Sequence, residues 1–309
     1  MLSTLRNKRG NAALIVLVAV AILFAIAPLV LHFAQKRHNV LPLDVTTAYP
    51  PDKAIVPGEV FATVLMTIMK HELESTTGWR PNDFFLWGPK LWADNNSNRQ
   101  LGIIQALRES SRIFKDHLTK VSATEFDPNL ADADTLLRND AEKFWFPSAE
   151  SRYSEAVEAW QRYLKGLQTG KSKQISRRNV ELIRLFQNWT DLLGDAHANL
   201  YKDREPDGSS VSIWQTDDHF YHSQGFAHVM YHLSLALKRE YAVDLENRPQ
   251  MKDLFDEVSG ALHKAARLKP IMVLDGGPNS IFANHRRNLD VYIAEARQKM
   301  YSIREELEK

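Results

Sequence analysis

The segment Arg286–Lys309 reads RRNLDVYIAEARQKMYSIREELEK and decides the fold class. Its apolar residues alternate spacings of four and three along the chain, which places them on one face of an α-helix. They are Leu289, Ile293, Ala296, Met300, Ile303 and Leu307. The pattern predicts a C-terminal helix over about 286–309. This helix either packs on its own protein or self-associates through a coiled-coil-like stripe.

The same periodicity recurs through most of the preceding chain. It predicts further helices over about 59–75, 99–121, 151–167, 178–201, 217–241 and 249–268. The alternation typical of strands is nearly absent, and only residues 271–274 could form a short strand. Two stretches rich in turn residues, 76–98 and 202–215, are predicted to be long loops. The sequence therefore predicts an all-α multi-helix bundle.

An N-terminal transmembrane helix is predicted over Ala12–Ala34, which contains no Asp, Glu, Lys or Arg. At about 1.5 Å per residue the segment spans roughly 34 Å, enough for a hydrocarbon core of about 30 Å. It also exceeds the apolar core of a cleaved signal peptide, about 7–15 residues. Residues 35–58 are rich in proline and are predicted to be an extended tether. Residues 59–309 then form a helical ectodomain.

Flanking charge predicts the orientation of this helix. Three basic side chains lie in residues 1–11 and two follow the span, Lys36 and Arg37, so the positive-inside rule favours a cytoplasmic N-terminus. The expected location is the bacterial inner membrane, with lipid contacts along 12–34 and a periplasmic ectodomain. Residues 1–38 contain no acidic residue, and the rest of the chain carries a net charge of −4. That surface charge argues against nucleic-acid binding.

No complete catalytic set is visible. The chain has no cysteine, which excludes thiol nucleophiles, Cys-ligated zinc and iron–sulfur clusters. No Ser-His-Asp or kinase pattern is present. The expected function is therefore a scaffold or interaction module, without a cofactor, that binds another envelope protein or a second copy of itself. The alternative is a metal-assisted or carboxylate-based hydrolase that acts on cell-wall material.

The segment 217–232 has the highest density of histidine in the chain. Two pairs with i,i+4 spacing could share a metal ion, Asp218 with His222 and His228 with His232. The pairs could meet only if Gly225 breaks the helix, or another helix would have to supply the remaining ligands. The alternative is an ordinary helix with Thr216 as its N-cap and packed or solvated histidines.

The first long loop and the helix start after it form the second candidate site. The loop is too apolar for a solvated linker, so its aromatic residues must be buried against the bundle or must bind something. Its amides and carboxylates fit turn geometry. We expect residues 79–102 to form an ordered binding surface. Its candidate residues are Trp79, Asn82, Asp83, Trp87, Trp92, Asp94, Asn95, Asn98 and Gln100.

Five short stretches together resemble a known family. They are Gly78-Trp79-Arg80-Pro81-Asn82-Asp83, the Asp94/Asn95/Asn98/Gln100/Gly102 pattern, Trp145-Phe146-Pro147-Ser148-Ala149-Glu150, the Asp218/Phe220/Tyr221/Gly225 pattern, and Asn284-His285. The set resembles an uncharacterised proteobacterial family known only as a domain of unknown function. The resemblance implies an N-terminal membrane span and a helical remainder, and it implies no activity.

Overall fold

The computed structural model of the protein describes residues 12–23, 26, 30, 41–75, 77–83, 94–119, 125–204, 208–270, 272–277 and 279–309. Residues 12–23 are helical. The elements that follow are α1 Val45–Ala48, α2 Glu59–Glu74, α3 Asp94–Ile113, α4 Pro128–Leu137, α5 Ala149–Gln168, α6 Asn179–Tyr201, α7 Ile213–Glu240, α8 Ala242–Glu246, α9 Pro249–Arg267 and α10 His285–Glu308. A π-helix, Phe114–Leu118, continues α3.

The predicted all-α multi-helix bundle is confirmed. Helices α6, α9 and α10 begin and end within about one residue of the predicted positions, because each has an uninterrupted apolar face. Within the described residues there is no β-strand, and residues 272–274 of the predicted short strand are irregular. Ile271 lies outside the described residues.

Helices α3 and α7 begin five and four residues earlier than predicted. Helix α3 starts at Asp94, so residues 94–98 belong to a helix and not to the preceding loop. Helix α7 starts at Ile213 because Ser212, and not Thr216, is its N-cap. The Ser212 hydroxyl accepts from the backbone N–H of Gln215, and the Gln215 side chain accepts from the backbone N–H of Ser212. This reciprocal capping box fixes the helix start.

The sequence interpretation missed helix α4. Asp127 caps it by accepting a hydrogen bond from the backbone N–H of Asn129, at 3.0 Å, and Pro128 occupies the first helical position. Asp followed by Pro is a recognised helix start, so the signal was present in the sequence.

Helix α7 is the centre of the bundle and packs against α2, α3, α6, α9 and α10. Contacts between the termini of the helices define two ends of the bundle. At the first end Glu240 meets the start of α2, and Asn179 donates to the backbone oxygen of Leu307 near the end of α10. At the second end Arg286 donates to the backbone oxygen of Lys202, and Asn98 donates to Asp218. The segments 77–83, 139–148, 202–204, 208–212, 272–277 and 279–284 lie at this second end, which we name the loop end.

The start of α2 is stabilised by a buried carboxylate from α7. Glu240 accepts from the backbone N–H groups of Gly58, Val60 and Phe61 at 3.0, 2.8 and 3.2 Å. The first N–H groups of a helix have no acceptor within the helix, and a carboxylate also complements the helix dipole. Glu240 therefore replaces the side-chain N-cap that Gly58 cannot provide.

Residues 41–58 are not an extended linker. Leu41, Val45 and Tyr49 are buried in the core, and α1 interrupts the segment. Arg239 of α7 donates to the backbone oxygens of Tyr49 and Pro50 at 2.9 and 3.1 Å. The apolar residues between the prolines thus bind the segment to the bundle, which proline content alone did not indicate.

The predicted transmembrane helix is described only at residues 12–23, 26 and 30. In the part of the chain that the structure covers, no helix is both long and apolar enough to cross a membrane. The remaining residues of 12–34, together with 1–11 and 35–40 of the predicted cytoplasmic and tether segments, lie outside the described residues.

The apolar stripe of α10 is buried against its own bundle. All six stripe residues are buried, and the helix packs on α6 and α9. Of the two predicted roles, the structure therefore shows the intramolecular one.

We expect Ile293→Ala to destabilise the protein by about 2–4 kcal/mol through the cavity it leaves. Val291→Ala, at an exposed position of the same helix, should change stability by less than about 0.5 kcal/mol. Urea unfolding of the full chain in detergent measures both effects. Light scattering should give the same mass for both variants. A smaller mass for Ile293→Ala would instead assign the stripe to self-association.

Candidate functional site

A buried polar network joins α2, α3 and the segment after α2. The Glu72 carboxylate accepts from Arg99 Nη1 at 3.2 Å and from Gln100 Nε2 at 3.0 Å. Gln100 also donates to the backbone oxygen of Gly78 and accepts from the backbone N–H of Arg80. The Gln100 amide is therefore engaged on both sides and holds the loop against the helices.

Trp79 and Asn82 attach the same loop to the segment that precedes α5. The Trp79 indole N–H donates to the backbone oxygen of Ala141 at 2.9 Å, and its ring packs edge-on against Tyr153. Asn82 donates to the backbone oxygen of Lys143 at 3.2 Å and to Glu150 Oε2 at 2.6 Å. Both side chains are buried. They are internal anchors of the loop end.

Of the remaining predicted site residues, some contact other residues of the chain and the others lie outside the described residues. Asp83 pairs with Arg80 at 2.9 Å. The Asn95 side chain hydrogen-bonds Tyr221, and burial raises the pKa of that phenol. Asn98 donates to Asp218 Oδ1 at 2.5 Å, linking α3 to α7. Trp87, Trp92 and the side chain of Asp94 lie outside the described residues.

Helices α3 and α7 cross backbone to backbone at two glycines. A Cβ added to Gly102 would overlap the backbone carbonyl group of His222, at 2.9 Å from its carbon. A Cβ added to Gly225 would overlap the backbone oxygen of Arg99 and lie 2.8 Å from the nitrogen of Ile103. Only glycine permits this approach at both positions.

The predicted metal ligands of α7 lie in two separate pairs along the helix. The helix continues through Gly225, so the Asp218/His222 pair stays separate along α7 from the His228/His232 pair. The rings of His228 and His232 lie 4.7 Å apart between centroids. Among the described residues, no group of three or more His, Cys, Asp or Glu side chains could hold a metal ion.

A cavity of about 220 Å³ lies between α7, α9 and the segment after the predicted anchor. Helix α7 contributes His228, Tyr231 and His232, and α9 contributes His263 and Arg267. Leu41 and Leu43 close the third side. Tyr231 packs against the rings of both His232 and His263. The cavity combines apolar walls with imidazole groups, so a small ligand with one polar group would fit it.

Residues 6–202 and 178–309 match DUF2333, described as an uncharacterised protein conserved in bacteria. The chain belongs to the DUF2333 family. No match was found among curated proteins or among solved structures.

The stretches that resemble the DUF2333 family meet at the loop end. Asn82 of the first stretch binds Glu150 of the third, and Asn98 of the second binds Asp218 of the fourth. Asn284 of the fifth caps α10 by accepting from the backbone N–H of Arg287. In this DUF2333 chain, the family-like residues thus fix how the helices and loops join.

The sequence interpretation missed the apolar residues exposed at the loop end. Phe144, Trp145 and Phe146 precede α5, and Met272, Ile281 and Phe282 precede α10. Consecutive aromatic residues just before a helix start were the available signal, but composition alone does not distinguish exposed from buried aromatics.

Acid should destabilise this DUF2333 protein through two histidines of α7. Burial, with a smaller effect of His219, lowers the pKa of His222 to about 4. Burial lowers the pKa of His232 to about 4, with smaller effects of Arg99 and neighbouring histidines. Their folded pKa values lie below the unfolded value of about 6.5. The stability that depends on these two neutral histidines is therefore fully present above about pH 6.5. It is lost as the pH falls from there towards about 4, because the unfolded chain then binds more protons than the folded one.

Between pH 7.5 and pH 5, we expect a loss of about 2 kcal/mol per histidine. Urea unfolding of the full chain in detergent at both pH values measures it. The double variant His222→Gln/His232→Gln should flatten the pH dependence, whatever its stability at pH 7.5. An unchanged pH dependence in that variant would contradict the assignment.

Proposed function

We propose that the protein is a membrane-anchored helical module of the bacterial envelope, which acts as a rigid scaffold for another envelope protein. One observation carries the proposal. Polar residues of the family-like stretches form hydrogen bonds from one stretch to another. The contacts of Gln100, Asn82 and Asn98 are examples. Groups engaged in this way stabilise a shape and are not available to a substrate.

The helical residues 12–23 support the anchor. Their side chains are apolar and exposed, and Leu17, for example, is 68% exposed. An unpacked apolar helix is unfavourable in water and favourable in lipid. The basic side chains before it favour a cytoplasmic N-terminus, and hence a periplasmic bundle.

The buried stripe of α10 favours a different protein as the partner. The helix face that the sequence indicated for self-association already packs on α6 and α9. We therefore propose a heterologous envelope partner.

A hydrolase that acts on cell-wall material is the second candidate. The cavity favours it, because the cavity contains His228 and His232, two of the predicted metal ligands. Against it, the buried carboxylates Glu72 and Glu240 are engaged in structural hydrogen bonds.

Reporter fusions at the C-terminus test the anchor and its orientation. Alkaline phosphatase fused after Lys309 should be active, and a fluorescent protein that matures only in the cytoplasm should be dark. The protein should also stay in the membrane fraction after alkaline carbonate extraction. An inactive phosphatase together with a fluorescent cytoplasmic reporter would show that the C-terminus is cytoplasmic.

A second experiment separates the scaffold from the hydrolase. The purified full chain should release no soluble fragments from murein, and elemental analysis should find no stoichiometric zinc or iron. Release of fragments, or bound metal, that disappears in His228→Ala/His232→Ala would overturn the scaffold proposal. Circular dichroism of that variant checks that it is folded.

A further inference from the structure

Two tips of the loop end expose large apolar side chains, and we name them the apolar tips. The first contains Phe144, Trp145 and Phe146, with exposed fractions of 51%, 76% and 93%. The second contains Ile281 and Phe282, with exposed fractions of 96% and 62%. Clustered apolar exposure of this degree is typical of a surface that contacts a partner or a membrane.

Both tips are held in place by their flanking residues. In the first tip, the backbone N–H of Ala149 donates to the backbone oxygen of Lys143 at 3.0 Å. The side-chain amide of Asn82 donates to the same oxygen. In the second, the backbone N–H of Gly276 donates to Ala283 at 3.2 Å. The side-chain amide of Asn284 donates to the backbone oxygen of Gly276 at 2.9 Å. These contacts fix the bases of the tips, so that the aromatic groups are presented outward.

Both tips lie at one end of the bundle. Tyr153, in the first turns of α5, donates to the backbone oxygen of Asn139, which places the first tip beside the start of α5. Arg286, at the start of α10, pairs with Asp275 and donates to Lys202 at the end of α6. The end of α6 and the starts of α3, α5, α7 and α10 all belong to the loop end.

The path of residues 41–49 indicates which end faces the predicted anchor. Leu41 lines the same cavity as Ala266 and Arg267, which belong to the end of α9 nearer the loop end. The chain then runs to Tyr49, which Arg239 binds near the opposite end of α7. It therefore enters from the side of the loop end. Only six residues separate Ala34 from Leu41. The seven Cα–Cα steps between them reach at most about 25 Å.

We propose that the loop end faces the bilayer and that the apolar tips insert into the lipid headgroup region. This inference rests on the proposed anchor. Aromatic side chains favour the membrane–water interface, where an apolar body and a polar edge are both accommodated. The net charge of −4 outside the N-terminal segment gives no overall attraction to anionic lipid. The contact is therefore driven by burial of the apolar tips.

The chain has no cysteine, so single cysteines can report membrane depth without further changes. Trp145→Cys and Ile281→Cys place a fluorescent label on each tip. Val180→Cys and Val243→Cys are matched controls, because both positions are exposed and lie at the opposite end of the bundle. Leu17→Cys reports on the anchor. The full chain is reconstituted in phosphatidylethanolamine/phosphatidylglycerol vesicles that contain lipid with a nitroxide either at the headgroup or deep in the acyl chain.

We expect headgroup nitroxide to remove most of the fluorescence at positions 145 and 281 and little at 180 and 243. Deep nitroxide should quench the label at position 17. Quenching at 17 without quenching at the tips would overturn the inference and leave the anchor standing. Equal quenching at both ends of the bundle would also overturn it. No quenching at 17 would overturn the proposed anchor, and the inference with it.

Discussion

Gly102→Ala or Gly225→Ala is expected to destabilise the protein by about 3 kcal/mol or more. Each added methyl group would overlap backbone atoms of the facing helix, and backbone cannot move aside as a flexible side chain can. The two helices would have to separate along the most extensive contact of the bundle. Thermal unfolding of the full chain in detergent measures the effect, with an expected decrease in Tm of about 6–12 °C.

Gly260 provides the matched control. It lies inside α9, and a Cβ added there would meet no atom within 4 Å. Gly260→Ala should therefore leave stability unchanged or raise it by up to about 1 kcal/mol, because alanine favours the helix. Similar losses at positions 102 and 260 would show that glycine flexibility, and not the close crossing of α3 and α7, is what the protein requires.

Arg99→Met is expected to destabilise the protein by about 3–5 kcal/mol. Glu72 is completely buried, and removal of its cationic partner leaves a charge in a low-dielectric environment. The Gln100 amide alone does not neutralise that charge. Urea unfolding of the full chain measures the loss.

The double variant Glu72→Met/Arg99→Met distinguishes lost charge pairing from lost packing. With both charges replaced by apolar groups of similar length, most of the stability should return. Gln100 would still bind the backbone oxygen of Gly78, so the loop keeps one attachment. A double variant as unstable as Arg99→Met would show that the loss comes from packing.

Periodicity predicted the long helices, because their apolar faces are encoded within each segment. The stripe from Leu289 to Leu307 needed no knowledge of its partners. Local capping explains two of the differences between the predictions and the structure. The start of α7 depends on Ser212 and Gln215, and the start of α4 depends on Asp127. These signals are present in the sequence, but they compete with equally plausible caps such as Thr216.

For the candidate site, the sequence indicated individual residues but not their partners. The sequence identified Trp79, Asn82 and Gln100 as residues of an ordered region, and their burial agrees with that. It could not reveal that their partners are internal. Trp79 binds a carbonyl 62 residues away, and Asn82 binds a carboxylate 68 residues away. Pairings at such separations depend on how the helices pack, which periodicity does not specify.

The contact between Glu240 and the start of α2 also bears on the order of folding during synthesis. Glu240 lies 180 residues after Val60, whose N–H it accepts. The ribosome therefore completes α2, α3, α5 and α6 before the carboxylate for the first turn of α2 exists. Until then that turn lacks the carboxylate that accepts from its N–H groups, and α2 lacks α7, one of the helices on which it packs. Contacts this distant in sequence slow folding, so the nascent chain has a long interval in which a chaperone can bind it.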